Sequence, residues 1–204
     1  MSRFREGGGE IHDVYVDGHL LRGLQHLKDN RPKKALDDFR LASEYPENLS
    51  VGRPKNDSRA PQIAYFTGRA YEALGDTEKA TAFYKQAANQ RGTSRWSETR
   101  FYQGLALREL GRPDAAGQIF ADLAEVGRKN LVREASVDVF AKFGERQTPE
   151  AQQASAHYTL GLAYLGQGHQ KAAKAEFTKA VELNTSHVWA KAWLAESDAN
   201  LPDR

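Results

Sequence analysis

The chain has 204 residues, 40% of them apolar and 27% charged, with 29 Lys and Arg against 27 Asp and Glu for a net charge of +2. That length buries a sizeable core, and the near-neutral balance creates no field that would recruit nucleic acid or an anionic membrane. Cysteine is absent, which excludes disulfides, thiolate metal sites and a cysteine nucleophile, and no apolar run approaches the ~18 residues a membrane span needs.

In chain order, the N-terminal MSRFREGGGEIHD lacks the apolar stretch of a secretory signal and predicts a flexible tail over 1–10, ahead of a single helical domain over 11–204. With neither leader nor span, the expected compartment is the cytoplasm. Four segments then align on a glycine, at Gly23, Gly68, Gly104 and Gly161. Three residues on stand His26, Tyr71, Leu107 and Tyr164; seven on, Asn30, Gly75, Gly111 and Gly168. Twelve on comes alanine each time, at Ala35, Ala80, Ala116 and Ala173, and sixteen on an aromatic, at Phe39, Tyr84, Phe120 and Phe177. Nineteen on come Ala42, Ala87, Leu123 and Ala180.

This pattern predicts units near 16–46, 61–93, 97–129 and 154–187, each a pair of antiparallel helices. The anchor glycine and the alanines are small where backbones approach closely. The second glycine supplies the left-handed residue that ends the first helix, and an acceptor such as Asp76 or Asp114 caps the next. The aromatics are expected to fill the gap between neighbouring units.

Two insertions interrupt the series. Residues 47–60, within ENLSVGRPKNDSRAP, are rich in Gly, Pro and Asn and read as a loop. Residues 130–153 include NLVREASVDVFAKFG, where Val132, Ala135, Val139, Phe140 and Phe143 share one helical face and predict an extra packed helix, with a well-ordered extended segment as the alternative. After the fourth unit, SHVWAKAWLAESDA sets Trp189, Ala192, Trp193 and Ala199 near one stripe. That is the form of a capping helix, expected over 187–200.

The recurring Gly, Tyr, Ala and Phe spacing resembles the tetratricopeptide repeat, most closely in YTLGLAYLGQGHQKAAKAEFTKAVELN. The resemblance implies an all-α superhelix of antiparallel helix pairs, here with two insertions and a C-terminal capping helix. The run EYPENLSVGRP, the two units after it and the interrupted approach to HYTLGLAYLGQG are also similar to the C-terminal repeat region of certain large bacterial proteins. Those proteins carry a β-rich N-terminal domain of uncertain function, often in carbohydrate-related settings.

No catalytic or cofactor site is predicted. His12, His19 and His26 are seven apart, about 10 Å of helix rise and too far for one zinc ion. They read as structural or surface histidines, as do His157, His169 and His187. The pair Asp37–Asp38 reads as a solvated helix face.

Binding is a question of geometry. At about 100° per residue, offsets −3, +1 and +4 from the anchor glycine face away from the stack, and in a tetratricopeptide superhelix that side is concave. The predicted partner groove is Leu20, Leu24, Tyr65, Arg69, Phe101, Leu105, Arg108, Tyr158 and Leu162, with the aromatic ring faces partly open; the alternative is that the inserted segments fold over this column and bury it. The expected function is a non-catalytic interaction scaffold for a protein or peptide partner. The alternatives are an accessory repeat region of a larger carbohydrate-related bacterial enzyme, and a self-association module forming a homo-oligomer.

Overall fold

The computed structural model describes residues 8–46, 57–89, 97–134 and 148–199, and every regular element among them is an α-helix. They are α1 (Gly8–Lys28), α2 (Pro32–Ala42), α3 (Ala60–Ala73), α4 (Thr77–Asn89), α5 (Ser97–Glu109), α6 (Pro113–Glu134), α7 (Pro149–Gly166), α8 (Gln170–Leu183) and α9 (Val188–Ala199). Helix α1 starts at Gly8, inside the stretch predicted as tail; residues 1–7 and most of the first insertion, 47–56, lie outside the described residues. No helix among the described residues is long and apolar enough to cross a membrane.

Every repeat turn closes the same way. The first helix of each pair ends on a left-handed residue: Asn30 at φ 55°, Gly75 at 77°, Gly111 at 70° and Gly168 at 79°. The next amide then reaches back to the carbonyl three beyond the anchor glycine. Arg31 N–H donates to His26 O at 2.8 Å, Asp76 to Tyr71 at 3.0 Å, Arg112 to Leu107 at 2.9 Å and His169 to Tyr164 at 2.8 Å. This bond, with the positive φ, is the Schellman arrangement. It uses only the carbonyl of the offset +3 residue, so His, Tyr and Leu serve equally there. Asp76 caps α4 as expected, its carboxylate accepting the Lys79 N–H at 3.0 Å. Asp114 instead lies inside the first turn of α6, because Pro113 takes the first helical position.

The anchor glycines are seats for aromatic rings. A Cβ added to Gly23 would come within 2.3 Å of Phe39, to Gly68 within 2.6 Å of Tyr84, and to Gly161 within 2.4 Å of Phe177. The offset +16 ring therefore packs first on its own unit's glycine, and only then against the next unit, as Phe39 does at 5.9 Å from Phe66. Within unit 2 Phe120 likewise meets a glycine, Gly166, where a Cβ would come within 2.3 Å of its ring. Ala35, Ala80, Ala116 and Ala173 are all buried, as the repeat register requires.

The helices group into two compact units, Met1–Arg112 with α1 to α5 and Pro113–Arg204 with α6 to α9. In unit 1, α1 pairs with α2 and α3 with α4, while α5 packs on both α3 and α4. Its core is aromatic: the Tyr65, Phe66 and Tyr102 rings lie within 5.1–5.8 Å of one another. In unit 2, α7 packs on α6 and α8, and α9 on α8. Helix α6 runs on to Glu134, so residues 130–134 continue it instead of starting a new helix, and Val132 is 74% exposed where packing was expected. Ala135, Val139, Phe140 and Phe143 lie outside the described residues. On α9, Trp189 and Ala190 are buried, whereas Ala192 and Trp193 are only half-buried.

Candidate functional site

The nine predicted groove residues divide by burial. Leu20, Tyr65, Phe101, Leu105, Tyr158 and Leu162 are all buried, with Phe101 at 0% and Tyr65 at 3% exposure, so the rings are not open to solvent as expected. Leu24 is half-buried, and Arg69 and Arg108 are exposed. The reason lies between helices. Tyr65 stands 5.8 Å from Tyr84 of α4 and 5.8 Å from Tyr102 of α5, so its column wedges between successive helices. In unit 2, Tyr158 is covered by Phe177 at 5.9 Å and by His187 at 4.3 Å. His187 precedes α9 and accepts the Ala190 N–H at 3.3 Å.

What remains at the surface of unit 1 is a set of charges mounted on buried tyrosines. The charges of Arg69, Arg108 and Glu109 all act on the Tyr65 hydroxyl. The Tyr84 hydroxyl donates to Glu72 Oε2 at 2.9 Å, and Glu72 stands 3.7 Å from Arg69 Nε. Burial raises both phenols above their ordinary range, and for Tyr84 the Glu72 carboxylate adds to the effect. Both hydroxyls therefore stay protonated. Two exposed arginines and two exposed acids, from α3 and α5, are thus gathered around a rigid aromatic base.

Beside this face, Arg59 ties three helices together. It stands just before α3 and pairs with Asp17 of α1 and with Glu98 Oε2 of α5 at 3.2 Å. Thr99 of α5 also donates to Ser58 O at 2.8 Å. Gln62, fully buried, donates to the Tyr102 hydroxyl at 3.0 Å. Asp17, Gln62 and Glu98 occupy one repeat offset, six before the anchor glycine, and so form the polar spine of unit 1.

The histidines have structural partners that composition alone did not reveal. Asp38, read as solvated, is 3% exposed; only Asp37 faces water. Arg22 Nε donates to the Asp38 carboxylate at 2.8 Å, His19 Nδ1 lies 2.9 Å from it, and His26 Nε2 lies 3.5 Å away. Burial pushes the Asp38 carboxyl up, but hydrogen bonds from Arg22 and His19 outweigh it and hold the group below its ordinary value. The fourth repeat carries the same device: His157 Nδ1 lies 2.6 Å from Glu176 Oε2. In both repeats the histidine is four before the anchor glycine and the acid fifteen after it. That recurrence was readable in the sequence. His12 Nε2 meets the Glu44 carbonyl at 3.1 Å, tying α1 to the end of α2.

Two models of the tetratricopeptide repeat match the chain, at residues 61–91 and 154–187. These are the α3–α4 and α7–α8 pairs. Among solved structures, the chain is similar to MamA 41-end from Desulfovibrio magneticus RS-1, with 19% identity over 91% of this chain and 84% of that one and a TM-score of 0.30. It is also similar to the MamA RS-1 ArsTM double mutant, with 18% identity, the same coverage and a TM-score of 0.32. At such scores the likeness carries nothing about site or partner. The repeated glycine–aromatic seat, the four identical turns and the two matched pairs make the chain a tetratricopeptide-repeat protein.

Proposed function

We propose that the chain is a non-catalytic protein-interaction scaffold that holds a partner segment against the charged face of α3 and α5. Tetratricopeptide repeats are generally interaction scaffolds, and this reading adds the contact residues. Its main support is the mounting of Arg69: a guanidinium at the surface, 3.7 Å from a Glu72 carboxylate that the buried Tyr84 hydroxyl fixes at 2.9 Å. A pre-oriented arginine loses less rotamer freedom on binding than a mobile one. Arginine and aromatic groups also dominate interface hot spots. Arg108 supplies the second cationic point and Leu24 an apolar contact on α1. Leu20, Tyr65, Phe101 and Leu105 act beneath the surface as its support, and Tyr158 and Leu162 do the same in unit 2.

Glu72 and Glu109 balance the net charge of the face, but its two guanidiniums bind carboxylates in bidentate geometry and so favour a partner segment that carries them. A displayed peptide library selected on the wild-type protein and counter-selected on the Arg69→Glu, Arg108→Glu variant tests this. The enriched peptides should be acidic, and the variant should bind them about 30-fold more weakly, equivalent to ~2 kcal/mol. Peptides that bind both proteins equally would overturn the assignment of this face.

A further inference from the structure

On the other side of α3 lies a cavity of about 610 Å³, bounded by α2, α3 and α4. From α3 it takes Ala60, Ala64, Thr67 and Tyr71, a stripe spaced like one face of a helix. Thr67 and Tyr71 each stand about 200° around the helix from Arg69, at 100° per residue, so this surface is distinct from the arginine face. The buried Phe39 and Ile63 line the cavity. Its wall is the Tyr71–Phe83 pair, stacked with ring centroids 5.4 Å apart and planes 14° from parallel.

The charges bordering this cavity are unequal. Among the described residues that line it, the charged ones are Asp37, Asp57 and Arg40. Arg40 Nη1 already donates to Glu44 Oε1 at 2.7 Å, so its charge is offset. Asp57 accepts the Arg59 backbone N–H at 2.9 Å, and neither it nor Asp37 is ion-paired among the described residues. Lys79 Nζ already lies 5.2 Å over the Tyr71 ring, so the aromatic wall offers apolar surface and the carboxylates are the cation-binding groups. Apolar walls, an aromatic pair and two carboxylates complement a lysine or arginine. The aliphatic stem of such a side chain covers apolar surface while its head reaches the acids.

We propose that this trough is a second docking site, taking a basic amphipathic segment of a partner protein. An apolar side chain enters beside Phe39 and Ile63, and flanking lysines or arginines meet Asp37 and Asp57. Unit 1 would then present two faces of opposite preference, acidic partner groups on the α3–α5 face and basic ones here.

The test is a heteronuclear NMR titration of the full chain with two synthetic peptides, an acetylated tryptophan–lysine–lysine–leucine–lysine amide and its counterpart with glutamate for lysine. The basic peptide should shift the amides of residues 36–43 and 60–71, and the acidic one should leave them in place. Asp37 is exposed, so Asp37→Lys should keep the parent spectrum while weakening the basic peptide roughly fivefold or more. The Arg69→Glu, Arg108→Glu variant should bind that peptide as well as the parent does, which separates this site from the α3–α5 face. Equal shifts with both peptides, shifts confined to other residues, no shifts at millimolar peptide, or a trough filled by a second copy of the chain would each overturn the proposal.

Discussion

Replacing Gly161 with alanine isolates the contact that defines the repeat. The new Cβ would lie 2.4 and 2.5 Å from Phe177 Cε1 and Cδ1, whereas carbon atoms settle at about 3.5–4.0 Å. Phe177 is fully buried and flanked by Tyr158 at 5.9 Å, so its ring cannot swing into solvent. Either α7 and α8 separate or the ring leaves its rotamer, at about 1–3 kcal/mol, and an overlap this deep belongs at the upper end. Alanine recovers about 1 kcal/mol of helix propensity. The net loss is therefore about 1–2 kcal/mol, a fall in melting temperature of roughly 2–8 °C. Gly117→Ala in α6 is the control, because nothing stands within 4 Å of its added Cβ. It should gain about 1 kcal/mol from propensity alone. Thermal melts followed by circular dichroism compare the two directly. If both variants melt above the parent by similar amounts, the glycine–aromatic seat does not control packing in unit 2. A third variant localises the effect: on a Phe177→Leu background, Gly161→Ala should cost clearly less, a coupling expected of residues in contact.

Asp38→Asn should destabilise the chain by about 2 kcal/mol at neutral pH, the scale of a charge-assisted hydrogen bond. Because the folded carboxyl titrates below its unfolded value of about 3.9, that contribution is present above pH ~4 and lost as the pH falls through the folded pKa. Urea melts at pH 7 and pH 3 should show the parent–variant gap shrinking in acid; an unchanged gap would contradict the charge assignment. Arg59→Met leaves Asp17 and Glu98 without their shared cation, at about 2–3 kcal/mol. Amide exchange should then accelerate in α1 and α5 more than in α4, and uniform acceleration would count against Arg59 as a tie between those helices.

The repeat register was legible in the sequence because it rests on local stereochemistry. A left-handed residue must follow each first helix, so glycine or asparagine recurs at Asn30, Gly75, Gly111 and Gly168. A ring seated on a backbone demands glycine opposite, hence Gly23 with Phe39 and Gly161 with Phe177. Periodicity also placed Ala35, Ala80, Ala116 and Ala173 in the core. The groove was not legible in the same way. A helical wheel gives the direction of a side chain from its own axis, but not how near the next helix stands. Tyr65 and Phe101 are both buried, Tyr65 because Tyr84 of α4 and Tyr102 of α5 close on its ring. Arg69 and Arg108 stay at the surface because their long polar side chains reach past the same helices. Asp38 reverses the comparison. Beside the exposed Asp37 it reads as a solvated acid, yet α1 brings His19, Arg22 and His26 around it. Burying a carboxylate is tolerated only where such partners converge, and which helix supplies them is decided by tertiary packing.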